Sequence, residues 1–231
     1  MKLSIGAVAL LAMVVTPLVG AAQEAEVTAN AGWLSQYYYR GAPQKNSAAS
    51  AGLDLAVSDF SIGTWAVDVG DGTEVDLYTS YGVAINDQVS VSLGGTGYFY
   101  TGEYDDTYLE VNLGVGVGPI SIEYSVGQYR SGPPHPKYNF IGITAEHEGL
   151  FATVGSIAYA ADLGDALSDV FKKDEGAQYL EAGYGFSAAE LDFTISGIWN
   201  DSLLSGEVDD TAAPTHELTL VFGVGKTFSL N

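Results

Sequence analysis

Apolar and polar residues alternate along this chain with a period of two. From Glu74 to Val83, one face carries Val75, Leu77, Thr79, Tyr81 and Val83, and the other Glu74, Asp76, Tyr78, Ser80 and Gly82. From Tyr108 to Val117, Leu109, Val111, Leu113, Val115 and Val117 oppose Tyr108, Glu110, Asn112, Gly114 and Gly116. The last segment sets Leu218, Leu220, Phe222, Val224, Phe228 and Leu230 against Thr219, Val221, Gly223, Gly225, Thr227 and Ser229. Such alternation predicts strands whose two faces meet different surroundings.

The pattern predicts twelve strands, at 26–40, 47–57, 60–69, 73–84, 88–100, 105–117, 120–130, 137–146, 150–160, 177–186, 189–200 and 216–230. Trp65 fits neither face of the third, which predicts a bulge there. Every second connection is short: Ser58-Asp59, Ile85 to Asp87, Gly118-Pro119, His147 to Gly149 and Ser187-Ala188. Those between are mostly longer, at 41–46, 101–104, 131–136, 161–176 and 201–215, with 70–72 the exception. A helical turn is expected at 165–171. An even strand count with tight turns at one end and longer loops at the other predicts an all-β, closed, antiparallel up-and-down barrel of the transmembrane type.

The polar face decides between this barrel and a soluble sandwich, which would show that face to water. It is rich in small residues and carries carboxylates at mid-strand: Asp54, Glu74, Asp76, Glu110, Glu123, Glu181 and Asp192. Water enclosed in a barrel solvates such groups, whereas hydrocarbon penalises their ionisation. The apolar face is then expected to meet lipid, and closure leaves no unpaired strand edge.

The start of the chain fits this environment. Met1-Lys2, an apolar run from Leu3 to Val19 and the small residues Val19-Gly20-Ala21-Ala22 predict a secretory signal peptide over 1–22. Residues 23–231 are then one barrel domain, exported to an outer membrane. The 8 Lys and Arg stand against 29 Asp and Glu, for a net charge of −21. That balance argues against nucleic acid as a partner. Cysteine is absent, so thiolate chemistry and disulfides are excluded.

Tyr37, Tyr38 and Tyr39 run together in "WLSQYYYRG". At a strand end they suit the headgroup boundary, where aromatic rings anchor barrels. Tyr37, Tyr39, Phe99, Tyr104, Tyr124 and Phe228 are therefore expected in aromatic girdles. Arg40, Tyr78 and Tyr108 are expected at the lumen mouth. Lys226, on the apolar face of the last strand, is expected to reach the inner headgroups.

Two motifs carry a family resemblance. Ser35-Gln36-Tyr37-Tyr38-Tyr39-Arg40-Gly41 resembles the "S-x-Y-x-x-R-G" opening of the TorF-type putative porins. Glu74-Val75-Asp76-Leu77-Tyr78, followed by Tyr81-Gly82, resembles that family's "E-x-D-x-Y-x-G-Y" strand, with Ser80 where glycine is expected. The resemblance implies an outer-membrane barrel of channel function and supplies no substrate.

Three functions remain open. The first is a passive channel for small solutes or ions, with weak cation preference from the acidic lining. The second is a non-conducting structural or surface-binding barrel in contact with outer-membrane lipid and lipopolysaccharide. The third, least favoured, is a lipid-acting hydrolase; none of His135, His147 and His216 pairs with a serine at a catalytic spacing, so no catalytic residue is assigned and no enzyme is expected. No His/Cys spacing suits zinc or haem, and no glycine-rich loop suits phosphate, so no cofactor or metal is expected.

Overall fold

The computed structural model describes residues 25–160, 176–201, 204 and 217–230. These form twelve strands in one closed barrel, each antiparallel to its chain neighbours, with the first pairing the last. They are β1 (Glu26–Tyr39), β2 (Ala42–Val57), β3 (Phe60–Asp68), β4 (Thr73–Asn86), β5 (Val89–Tyr100) and β6 (Tyr108–Val117). The second half is β7 (Ile120–Tyr129), β8 (Lys137–His147), β9 (Leu150–Ala160), β10 (Ala177–Ala188), β11 (Leu191–Asn200) and β12 (Glu217–Ser229). The predicted signal segment, the helical turn at 165–171 and His216 lie outside the described residues.

The start of β1, the end of β12 and the turns at 58–59, 118–119, 148–149 and 189–190 lie at one end of the barrel. Glu148-Gly149 and Ala189-Glu190 have positive φ at both positions. Two-residue turns of that hand match the twist of the strands they join. Lys226 pairs with Glu190 at 2.9 Å and lies 5.5 Å from the Phe228 ring. Its ammonium holds the Glu190 carboxyl below the usual range.

The outside of the barrel is apolar around its whole circumference. Each strand leaves a large apolar side chain exposed: in chain order, Trp33, Leu53, Ile62, Leu77, Leu93, Val111, Ile122, Ile143, Val154, Leu180, Ile195 and Leu220. A belt that leaves no side for water is the outer face of a membrane barrel. Inside, large rings lie across paired glycines. Tyr78 covers Gly63, Tyr138 covers Gly127 and Tyr179 covers Gly155, each on the adjacent strand. A Cβ at any of these glycines would collide with the ring. The glycine-aromatic rhythm is thus a packing pattern of the inner face.

Two expectations are corrected. Trp65 sits in unbroken register between Gly52 and Asp76, faces inward and packs edge-on to Tyr37 at 5.7 Å. The bulges fall instead at Tyr37/Tyr38 and Ala84/Asn86. The segment 41–46 is not a loop. Arg40 (φ 47°) and Gly41 (φ 80°) form a two-residue turn, and β2 begins at once with Ala42 facing Tyr39.

Candidate functional site

The β1–β2 hairpin is longer than the barrel needs. β12 pairs with β1 only from Thr28 to Leu34, and β3 pairs with β2 only from Ser50. On the arm side, a bond from the Phe222 amide to Ser35 Oγ at 2.9 Å extends the first seam, as one from the Leu230 amide to the Val27 carbonyl at 2.9 Å does at its other end. From Gln36 to Ala49 the two strands pair with each other alone. The Tyr37/Tyr38 bulge and Ser47, left-handed at φ 60°, break the regular pleat of this arm. Its tip folds into the lumen, where Tyr37, Tyr38, Arg40 and Gly41 are all buried.

The three tyrosines reach three sectors of the wall. Tyr37 packs with Leu34, Ala48, Val67 and Val69 and donates to Glu74 Oε1 at 2.6 Å. Tyr38 packs with Ile198 and Val221 and bonds Thr219 Oγ1 at 3.1 Å. Tyr39 donates to the Tyr98 hydroxyl at 2.6 Å. Strict alternation would turn the middle ring outward. The bulge relaxes that constraint, so consecutive rings can both be buried.

Tyr37 and Tyr39 therefore belong to the lumen and not to a lipid-facing girdle. Tyr104 also packs against the Tyr37 cluster, and its hydroxyl bonds Gln44 Oε1 at 2.8 Å. Phe99 and Phe228 lie on the outer face. Tyr124 shares that face, where it donates to Asn139 Oδ1 at 2.5 Å.

Arg40 is inside as well. Its Nη1 and Nη2 meet Glu110 Oε1 and Oε2 at 2.5 and 3.1 Å. Nη2 also reaches Glu123 Oε1 at 2.7 Å and Ser125 Oγ at 3.2 Å. The Phe140 ring centre is 3.9 Å from the guanidinium carbon, and the Tyr39 ring centre is 5.0 Å away. Glu110 further accepts from Tyr138 at 2.7 Å, Asn112 at 2.8 Å and Tyr98 at 3.2 Å. A carboxylate this fully bonded is fixed in place, and it fixes the fork that grips it. The tip is anchored on the opposite side by Asn200, which donates to the Gly41 carbonyl at 2.9 Å. Tyr179 packs so closely on Gly41 that a Cβ there would overlap its ring.

The seven predicted carboxylates all lie on the inner face at several levels. Glu74, Asp76, Glu110 and Glu181 are buried. Asp54 takes hydrogen bonds from Tyr78 at 2.5 Å and Asn30 at 3.4 Å. Asp192 takes one from Ser187 at 2.6 Å near the short-turn end. Asp76 stands two residues from Glu74 and directly opposite Tyr98, and its Oδ1 has no hydrogen-bond partner among the described residues. Tyr78 lies at mid-strand and Arg40 deep in the lumen, so neither is a mouth residue. Tyr108 is at the loop end of its strand, stacked on Tyr129 at 4.5 Å.

Beneath the hairpin tip lies a cavity of about 340 Å³. Tyr39, Arg40, Tyr98, Phe140 and Tyr179 line one end, and the turn from Glu146 to Leu150 lines the other. Ser80, Ser92, Thr96, Asn112, Thr153 and Ser196, with several glycines, contribute to the wall. Glu123 and Glu181 are the mid-strand carboxylates that line it. The small inner-face residues were legible from alternation. The cavity's ceiling was not, because nothing in the local pattern tells a hairpin to leave the wall.

A family model for bacterial proteins of unknown function, Gcw_chp, matches residues 19–202. The chain belongs to the Gcw_chp family. No curated protein matches it. Among solved structures, the NanC porin is similar in fold, with a TM-score of 0.51 and 11% identity over 89% of this chain and 100% of that one. OprD from Pseudomonas aeruginosa aligns with a TM-score of 0.42 and 14% identity over 90% of this chain and 66% of that one. This member of Gcw_chp thus has a porin-like β-barrel fold.

Proposed function

We propose that this protein is an outer-membrane channel for small solutes or ions, of the kind implied by its resemblance to TorF-type porins, with a weak preference for cations. The observation that carries the reading is the contrast between the two faces of one closed sheet. The outside is apolar on every strand, and the inside carries seven carboxylates with Arg40 as the cation engaged among them. Fixed negative charge in a narrow path attracts cations and repels anions. The short turns face the periplasm in this reading, and the signal segment directs export.

A second reading, a non-conducting barrel, is favoured by the hairpin tip, which occupies the lumen between the cavity and the long-loop end. The hydrolase reading gains no support from the histidines. His135 lies in the segment joining β7 to β8, whereas His147 ends β8 at the opposite end of the barrel.

The test is a planar-bilayer recording of refolded protein under a potassium chloride gradient. A reversal potential of the sign set by potassium supports the channel and its lining. A chloride-selective current removes the cation preference. Folded protein that stays silent, including with the hairpin arm shortened, removes the channel.

A further inference from the structure

The Arg40 guanidinium occupies a nest that other strands build. Glu110 supplies two carboxylate oxygens, Glu123 and Ser125 supply further acceptors, and Phe140 supplies an aromatic face at 3.9 Å. A bidentate carboxylate with an aromatic face below is what a planar guanidinium needs from a receptor. The nest's acceptors and its Phe140 ring lie on strands other than the arm that fills it. Glu110 is paired in register with Gly127, Glu123 with Gly142 and Ser125 with Phe140, all in the wall of β6, β7 and β8. The arm carrying Arg40, by contrast, is paired to no wall strand from Gln36 to Ala49. The nest is also reachable. Arg40, Glu123 and Phe140 line the cavity, and the Glu123 side chain keeps 31% of its surface exposed.

We propose that this nest is a binding site for the guanidinium group of a small solute, with Arg40 as its built-in occupant, and that a solute arriving through the cavity competes with Arg40 and releases the hairpin tip. The release step rests on the channel reading above, whereas the binding site does not. Arg40 is tethered, so it competes as an intramolecular ligand at an effective concentration of about millimolar or above. Binding by a free solute is therefore weak in the intact protein and is unmasked when Arg40 is removed.

The experiment titrates ethylguanidinium into refolded wild-type and Arg40→Ala protein in detergent, read by saturation-transfer NMR. Ethylammonium is the comparison, and heat-modifiable gel mobility is the check on folding. Arg40→Ala is expected to bind ethylguanidinium roughly tenfold more tightly than wild type, since the intramolecular competitor is gone. It should prefer ethylguanidinium to ethylammonium, and adding Glu123→Gln should abolish the gain. Equal binding by wild type and Arg40→Ala, or no preference for the planar cation, overturns the site. Should Arg40→Ala fail to fold, Arg40→Lys takes its place. It keeps a cation in the nest but loses the fork, and no gain over wild type overturns the proposal equally. Bilayer recordings separate the two steps. Binding by a folded but silent barrel upholds the site and removes the release step together with the channel reading. Conductance without binding removes the site and leaves the channel.

Discussion

Arg40 and Glu110 are separated by 70 positions in the chain, yet the guanidinium holds both oxygens of the carboxylate. Both side chains are nearly closed to solvent, with 9% and 0% of their surfaces exposed. Breaking a buried pair by removing one partner leaves the other charge poorly compensated and costs about 3–5 kcal/mol. Glu110→Gln is expected to destabilise the folded barrel by that order in urea unfolding from detergent. Arg40→Leu in the same background should recover part of the loss, because it removes the stranded charge. A loss below about 1 kcal/mol, the range of exposed pairs, would show that the pair does not hold the tip.

Gly41 is the residue that lets the tip reach the far wall. Its φ of 80° favours glycine, and the Tyr179 ring leaves no room for a Cβ. Gly41→Val meets both obstacles and changes no residue of the wall strands. The expected outcome is a protein that still folds and inserts but whose tip is driven from its seat, with conductance several-fold above wild type in planar bilayers. Unchanged conductance in a correctly folded variant would count against the tip as the obstruction.

The two faces of the barrel were readable from the sequence because a strand's period is fixed by its backbone. Leu77 and Asp76 must point to opposite sides, whatever surrounds them. The hairpin arm was not readable for the same reason in reverse. Alternation placed 26–40 in one strand and said nothing of where β12 stops pairing with it, a matter of register between residues almost 200 positions apart, Leu34 and Gly223. The Tyr37-Tyr38-Tyr39 run did carry a signal. Three consecutive rings cannot share one face of a regular strand, so burying them requires a break in the pleat. A headgroup girdle offered a simpler account, and the structure favours the bulge. Arg40 followed its tyrosines: at a strand end it read as a mouth residue, and only the inward fold of the arm brings it to Glu110 and Glu123.

Glu181 offers the sharpest test of the acidic lining. It lies on the cavity wall, is only 6% exposed and has no ion pair among the described residues. It differs in this from Glu110 and Glu123, whose charge is shared with Arg40. Glu181→Gln keeps the shape and removes the charge. The reversal potential under a potassium chloride gradient is expected to move towards zero, with little change in the urea midpoint. An unmoved reversal potential would mean that permeating ions do not sense this carboxylate.

The outer face predicts a different kind of loss. Val111 and Asn112 are neighbours on β6, but Val111 is 52% exposed on the apolar belt, whereas Asn112 bonds Glu110 and Ser125 inside. If the belt meets acyl chains, a charge at Val111 has no water to stay with. Val111→Arg is expected to cost about 2–4 kcal/mol when the protein folds into lipid vesicles, the penalty for arginine near the bilayer midplane of a barrel. The same penalty should shrink towards zero for Phe228→Arg, close to the short-turn end, where a long side chain can reach headgroups. A soluble protein would order these two differently, since water would solvate an arginine equally well at both sites. Equal and small effects at Val111 and Phe228, measured by urea titration of vesicle-folded protein, would therefore show that the apolar belt does not meet acyl chains and that the lumen is not a path across a membrane.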